Sequence, residues 1–348
     1  MSGIPGGILI HAYSIRIRLY HWAKEREVVQ KRPAPASIPR GVEGRGLRET
    51  SSSRSMDTPP ASEQLRAVAR RIVTAVAERV MLRGALLAGS AGRGDADYYS
   101  DVDLLFYVDE IPPTTLGAEL CERLGGTQHV RKDKPTEQFS AEEFDVGGLR
   151  VEISFWTVRW IEARLDALLD DLADFDTPSQ KILSGLLEGL PLHGAELLGR
   201  WRARVAAYPE PLRKAMVERY WSFFALWYAS AAMARRDAEL WRQDMLVDAA
   251  FNLLGVLAGL NRVYFTRFQF KHLRRFVSQM SVCPVGLADR LESLFRLDPE
   301  SAAAELERLI EEAATLVHAE LPDVDLRLRF PPGTRQLPWR DPQTKNTS

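Results

Sequence analysis

Ala85-Leu86-Leu87-Ala88-Gly89-Ser90-Ala91-Gly92-Arg93-Gly94-Asp95-Ala96-Asp97-Tyr98-Tyr99-Ser100-Asp101-Val102-Asp103-Leu104-Leu105-Phe106-Tyr107-Val108 is the stretch whose reading decides the fold. Two apolar runs of strand length flank a small polar turn, so the segment reads as strand, corner, loop and strand. The second strand opens with carboxylates at i and i+2. Such residues share a face and stand roughly 6.5–7 Å apart along the chain. Two carboxylates held that close repel unless a cation lies between them. A hard divalent ion such as Mg²⁺ takes oxygen donors of this kind and completes its shell with phosphate oxygens. The Gly89-Ser90 corner offers those phosphates backbone N–H groups and a hydroxyl. The chain reads as one built to hold a metal-bound nucleoside triphosphate.

A third carboxylate follows from a second local pattern. Phe144-Asp145-Val146, Gly147-Gly148 and Leu149-Arg150-Val151-Glu152-Ile153-Ser154-Phe155 read as a β-hairpin, with the glycine pair supplying the positive φ of a two-residue turn. Leu149, Val151, Ile153 and Phe155 make the core face, and Arg150, Glu152 and Ser154 the other. Glu152 is the natural third metal ligand; the plainer alternative is a solvated strand residue paired with a cation.

Gly89, Ser90, Asp101, Asp103 and Glu152 together resemble the signature of the nucleotidyltransferase superfamily that includes DNA polymerase beta. The loop wording is most similar to the aminoglycoside and lincosamide nucleotidyltransferase branch, and the motif covers roughly residues 84–156. The resemblance implies an α+β fold: a polymerase-beta-like catalytic domain, with a mixed sheet and helices, followed by an all-helical C-terminal domain. It implies transfer of a nucleoside monophosphate from an NTP, with ATP the expected one, to an acceptor hydroxyl, with release of pyrophosphate. Asp101, Asp103 and Glu152 would hold two Mg²⁺ ions, and Gly89 and Ser90 would bind the β- and γ-phosphates. The segment Leu260-Asn261-Arg262-Val263-Tyr264-Phe265, then Lys271, is similar to one in that branch's helical domain whose lysine contacts the nucleotide.

Other residues are candidates by chemistry. Arg93 would neutralise triphosphate charge, and Ser100 would orient Asp101; plain loop roles are the alternative for both. Asp244, Asp248 and Asn252 interrupt an apolar helix at i, i+4 and i+8, and Gly255 and Gly259 extend that face. The stripe reads either as the wall of a cleft for a cationic acceptor or as an exposed edge with close packing at the glycines. A nucleophile elbow, with Ala88 replacing the first glycine of G-x-S-x-G, leaves the paired aspartates unexplained. A Walker A loop lacks its Gly-Lys.

The acceptor reads as a small molecule such as an aminoglycoside-like compound. A protein or RNA acceptor, or a non-catalytic nucleotide-binding or partner-binding module, are the alternatives. Composition bounds the rest. The 348 residues are 45% hydrophobic, enough for two cored domains, and the net charge of −1 speaks against a general polyanion binder. Cys121 and Cys283 are far apart, no apolar run is long enough to span a bilayer, and a cytoplasmic protein without membrane contact is the expectation.

Along the chain, residues 1–55 read as a disordered extension, with Met56 as the functional start. Residues 56–175 read as the catalytic domain, 176–321 as the helical domain and 322–348 as an extended tail docking through Phe330, Leu337 and Trp339. Residues 127–140 show no clear pattern, and no strand signal is visible beyond 176. Helices are expected at 178–189, 194–207, 210–236, 238–261, 268–281, 285–296 and 300–320.

Overall fold

A computed structural model describes residues 60–132, 134–173, 177–226, 230, 233 and 236–327. The expectations for residues 1–55, for Met56 and for Phe330, Leu337 and Trp339 lie outside the described residues.

Leu65, Ala69, Ile72, Val73 and Val76 recur at helical spacing and form the buried stripe of α1 (Pro60–Ala77). Then come β1 (Gly84–Leu87), the short α2 (Gly89–Arg93), β2 (Val102–Val108), α3 (Leu116–Arg123), β3 (Thr127–Arg131), β4 (Phe139–Val146), β5 (Leu149–Thr157) and α4 (Val158–Leu169). The hairpin is as read: Val146 pairs with Leu149, and Gly147 and Gly148 take φ of 59° and 82°. Next follow α5 (Thr177–Glu188), β6 (Leu190–His193), α6 (Ala195–Ala206), α7 (Glu210–Tyr220) and α8 (Glu239–Leu260). A 3₁₀ turn (Arg267–His272), α9 (Leu273–Val277), α10 (Leu287–Ser293) and α11 (Pro299–Glu320) complete the order. Asp298 caps α11 by accepting from the N–H groups of Glu300 and Ser301, with proline at the first helical turn.

The six strands form one mixed sheet in the order β3-β4-β5-β2-β1-β6. Only β2 and β5 run parallel; the other neighbours are antiparallel. Alternation along β2 divides two cores. Val102, Leu104, Phe106 and Val108 join Val151, Ile153 and Phe155 of β5 beneath α1 and α3. Tyr107 belongs to the larger core made with the helices from α4 onward, and Leu105 and Trp156 pack against it. The helical half is therefore built directly on one face of the sheet. Glu142, on the other face, is buried against Gly117 and joined to His129, as a buried carboxylate requires.

Four elements differ from expectation, one being the helix read over 268–281, which is a 3₁₀ turn followed by the five-residue α9. β6 pairs with β1 although no strand was legible there. It is only four residues long and contains Pro191, which argues against a strand, although Leu190 and Leu192 pack on the core beneath α1. β3 forms within the patternless 127–140 stretch, with a break in register between Thr127 and Val130 and a φ of 58° at Gln128. The helix expected over 210–236 ends at Tyr220. Residues two apart do not face each other on a helix; once the chain leaves it, Trp221 and Phe223 meet edge to face at 5.3 Å. Trp221 Nε1 then donates to Leu326 O at 2.8 Å.

α8 is, by length and composition, long and apolar enough to cross a membrane, yet 67% of its most apolar window is buried inside the protein, and it is the central helix of the larger core. Both cysteines are free. Where α8 meets α7, a Cβ on Gly255 would lie 2.4 Å from Tyr220 Cγ. Gly255→Ala is expected to cost about 1–3 kcal/mol by overpacking. Gly185, inside α5, has open space where its Cβ would be, so Gly185→Ala should gain about 0.4–1 kcal/mol. Urea melts of the two variants check the opposed signs.

Candidate active site

The corner after β1 is set by sterics. Gly89 has φ +64°, and a Cβ there would lie 2.5 Å from Asp103 Oδ2. Only glycine lets the backbone turn and approach the carboxylate this closely. The Ala88 N–H donates to the Asp103 carbonyl at 2.8 Å, tying the corner to β2. α1 braces the loop from behind. Arg66 donates from Nε to Ala91 O and from Nη2 to Gly92 O, both at 2.9 Å, satisfying carbonyls at the end of α2. The buried Ser62 Oγ accepts from Ala96 N at 3.0 Å. Neither residue is visible as a site element in the sequence, since their partners lie some thirty residues away.

The parallel register of β2 and β5 sets Asp103 opposite Glu152, and β4 sets Glu143 opposite Glu152. Neighbouring strands lie about 4.8 Å apart, so the three carboxylates form a row across the sheet, with Asp101 two residues before Asp103 on the same face. Leu105 and Tyr107, further along that face, lie under the helical half, so the aspartates sit at the rim of its cover. Asp103 is pushed up to about 6, first by burial and then by the charges of Asp101 and Glu152, against the opposing pull of Lys181 and Lys132.

Lys132 follows β3, where its N–H continues the ladder to Ala141 O at 3.0 Å. Period-2 alternation from Val130, which pairs with Glu143, puts the Lys132 side chain on the carboxylate face. Its ammonium bonds Glu152 and reaches Glu143 at 3.4 Å, while Arg150 holds Glu143 at 2.9 Å. Burial works against the ammonium, but the hydrogen bonds and charges of the two glutamates outweigh it and hold it above the ordinary lysine value. Among the described residues no three His, Cys, Asp or Glu side chains close around a metal position, and Glu152 is turned to Lys132. The Asp101–Asp103 pair could hold a hard divalent ion: two half-buried carboxylates that leave coordination positions for phosphate oxygens.

The helical half adds cations. Lys181 on α5 acts on Asp103 and stands 4.3 Å over the Phe268 ring, with Lys271 5.8 Å from the same ring. The neighbouring Gln180, fully buried, accepts from Phe265 N at 2.8 Å and so ties α5 to the segment carrying Lys271. Lys132, Lys181 and Glu143 were not singled out in the sequence, because only tertiary contact reveals their partners.

Arg93 lies between Asp95 at 3.3 Å and Glu188 at 3.6 Å, and Asp95 is also held by Arg275 of α9. Ser100 Oγ closes a turn with Asp97, accepting from its N–H at 2.9 Å and donating to Oδ1 at 3.0 Å; its contact is to that turn and not to Asp101. On α8, Asp244 is exposed and Asp248 half-buried. Asn252 donates to Ser222 O at 2.6 Å, while Gly255 and Gly259 abut Tyr220 and Met216 of α7. The lower part of that stripe is a helix-packing face. Arg262 pairs with Glu210, and Arg274 with Asp289 and Glu292.

A carboxyl whose folded value is raised favours the folded state while protonated and costs stability once ionised. Asp103 should therefore lower stability as the pH rises from its unfolded value near 3.8 to about 6. In metal-free buffer, Asp103→Asn should flatten this fall and melt at or above the wild-type temperature at pH 7 to 8. Thermal melts across pH check the sign. Gly89→Ala should instead melt several degrees lower, because its Cβ collides with Asp103.

No protein-family model matches the chain, and no curated protein matches it. Among solved structures, it is similar to a nucleotidyltransferase-like protein from Exiguobacterium sibiricum, with 12% identity, 75% of this chain and 81% of that chain covered, and a TM-score of 0.29. A similarity of that extent carries no argument about chemistry, which rests on the residues of this chain.

Proposed function

We propose that this chain is a nucleotidyltransferase that moves a nucleoside monophosphate from a nucleoside triphosphate, ATP first among candidates, to an acceptor hydroxyl. The observation that carries the reading is the Gly89 corner packed on Asp103, with Asp101 and Glu152 on the same sheet face. The acceptor oxygen forms a bond to the α-phosphorus, the bond to the bridging oxygen breaks, and pyrophosphate leaves.

Asp101 and Asp103 would hold Mg²⁺, which when bound supplies charge neutralisation for the triphosphate and its leaving group. The backbone around Gly89 and Ser90 donates to the terminal phosphates and fixes their position. Lys181, which acts on Asp103, and Lys271, beside the same Phe268 ring, would lower the cost of the developing negative charge. Arg93, engaged with Asp95 and Glu188, steadies the loop that carries the corner. Glu152 stands beside Asp103 and receives the acceptor proton. Most of the rate in such transfer comes from positioning and electrostatics, which suits a site made of a rigid corner and a row of charges.

For the acceptor we favour a small molecule with both hydroxyl and amine groups, such as an aminoglycoside-like compound, with Asp244 and Asp248 as candidates to meet its amines. The reading is tested by incubating the full chain with each labelled triphosphate, Mg²⁺ and panels of small-molecule, protein and RNA acceptors. The readouts are pyrophosphate release and label transfer. Wild-type protein should transfer label, while Asp101→Asn and Asp103→Asn should fall at least about a hundredfold, as loss of a metal-holding carboxylate implies. Absence of Mg²⁺-dependent triphosphate binding by the wild type would overturn the reading.

A further inference from the structure

Four carboxylates share this face of the sheet: Asp101, Asp103, Glu152 and Glu143. Their charges are not balanced alike. Glu143 is held by Arg150 at 2.9 Å, and Glu152 is held by Lys132, whose ammonium also reaches Glu143 at 3.4 Å. Among the described residues, Asp101 and Asp103 make no ion pair. Two cations thus answer the two glutamates by direct contact, whereas Lys181 and Lys132 act on Asp103 only through space, so the aspartates are the pair left to meet a divalent ion.

We infer that Lys132 is a built-in second cation, so that the site takes one divalent ion at Asp101 and Asp103, with the lysine ammonium neutralising Glu152 and Glu143 where a second ion would otherwise sit. The inference rests on the nucleotidyl-transfer reading and narrows it.

The strand geometry supports the assignment. Lys132 lies beyond β3, at the sheet edge, and Glu152 lies on β5. Its side chain therefore crosses the whole of β4 to reach its partner, passing Glu143 on the way. A long flexible stem ending in a compact charge suits that reach, whereas a planar guanidinium would favour a two-pronged grip on one carboxylate. A second divalent ion beside Glu152 would have to displace the ammonium from both glutamates. Once displaced, the ammonium would remain tethered close by and repel the incoming ion. The bonded atom of Glu152 is Oε2, which leaves Oε1 to accept the acceptor proton.

The test counts bound metal directly. Full-chain protein is titrated with Mn²⁺ in the presence of a non-hydrolysable triphosphate, and free Mn²⁺ is read by electron paramagnetic resonance. Wild type should bind one Mn²⁺ per chain, Lys132→Met should bind two, and Lys132→Arg, which keeps the charge, should bind one. Lys132 is partly exposed, and a thermal melt confirms that each variant is folded. Two Mn²⁺ in the wild type, or one in Lys132→Met, would overturn the role of Lys132 and leave nucleotidyl transfer standing. Failure of the wild type to bind any Mn²⁺ with the triphosphate would remove the functional reading, and this inference with it.

Discussion

The molecule is organised around an electrostatic cost: a carboxylate, Asp103, is drawn partly out of water beside two others. Burial and like charge both oppose its ionisation, and the fold holds it there nonetheless. β2 lies inside the sheet between β1 and β5. Glycine at 89 lets a backbone corner press against the carboxylate oxygen, and the parallel pairing with β5 fixes Glu152 alongside. Such strain persists where the surrounding packing is sufficient to over-determine it. Here that packing comes from two cores, one on each face of the strand that carries the aspartate.

Much of this was legible because it is local. The corner and the paired aspartates announce themselves through turn chemistry and period-2 alternation within some twenty residues, and the Gly147-Gly148 hairpin within twelve. The facing of Glu152 follows from counting along one strand. What was not legible depends on partners distant in sequence. β6 owes its strand conformation to pairing with β1 a hundred residues earlier, and Leu190-Pro191-Leu192-His193, four residues with a proline, is too short to announce a strand alone. Lys132 and Lys181 read as ordinary surface lysines until the sheet and the helices bring carboxylates to them. The polar stripe on α8 had two readings. The structure places Asn252 and the two glycines against α7, where helix spacing alone could not choose between a cleft and a neighbour.

The helical half is joined to the sheet in two ways of different strength. Apolar burial is the larger: Tyr107 and Leu86 of the sheet sit within the same core as α8 and α11. The polar links are fewer and nearer the surface. Arg275 of α9 holds Asp95 in the loop after the corner. Gln180 joins α5 to the backbone at Phe265, and the Phe268 ring lies beneath two lysines. Exposed ion pairs contribute little stability each, so these links matter for placing the loop and the lysine-bearing segment relative to the carboxylates, while the hydrophobic interface carries the association itself.

The two ends of the sheet are both irregular. At one end stands β6, whose Pro191 has no N–H to offer outward. At the other stands β3, whose register breaks at Thr127 to Val130 around a left-handed Gln128. Short strands, proline and bulges all spoil an exposed backbone as a template for another chain. The irregularities that hid these two strands from the sequence are the same ones that blunt both edges. The sheet is therefore poorly suited to grow by adding strands from a second molecule, a safeguard against edge-to-edge aggregation.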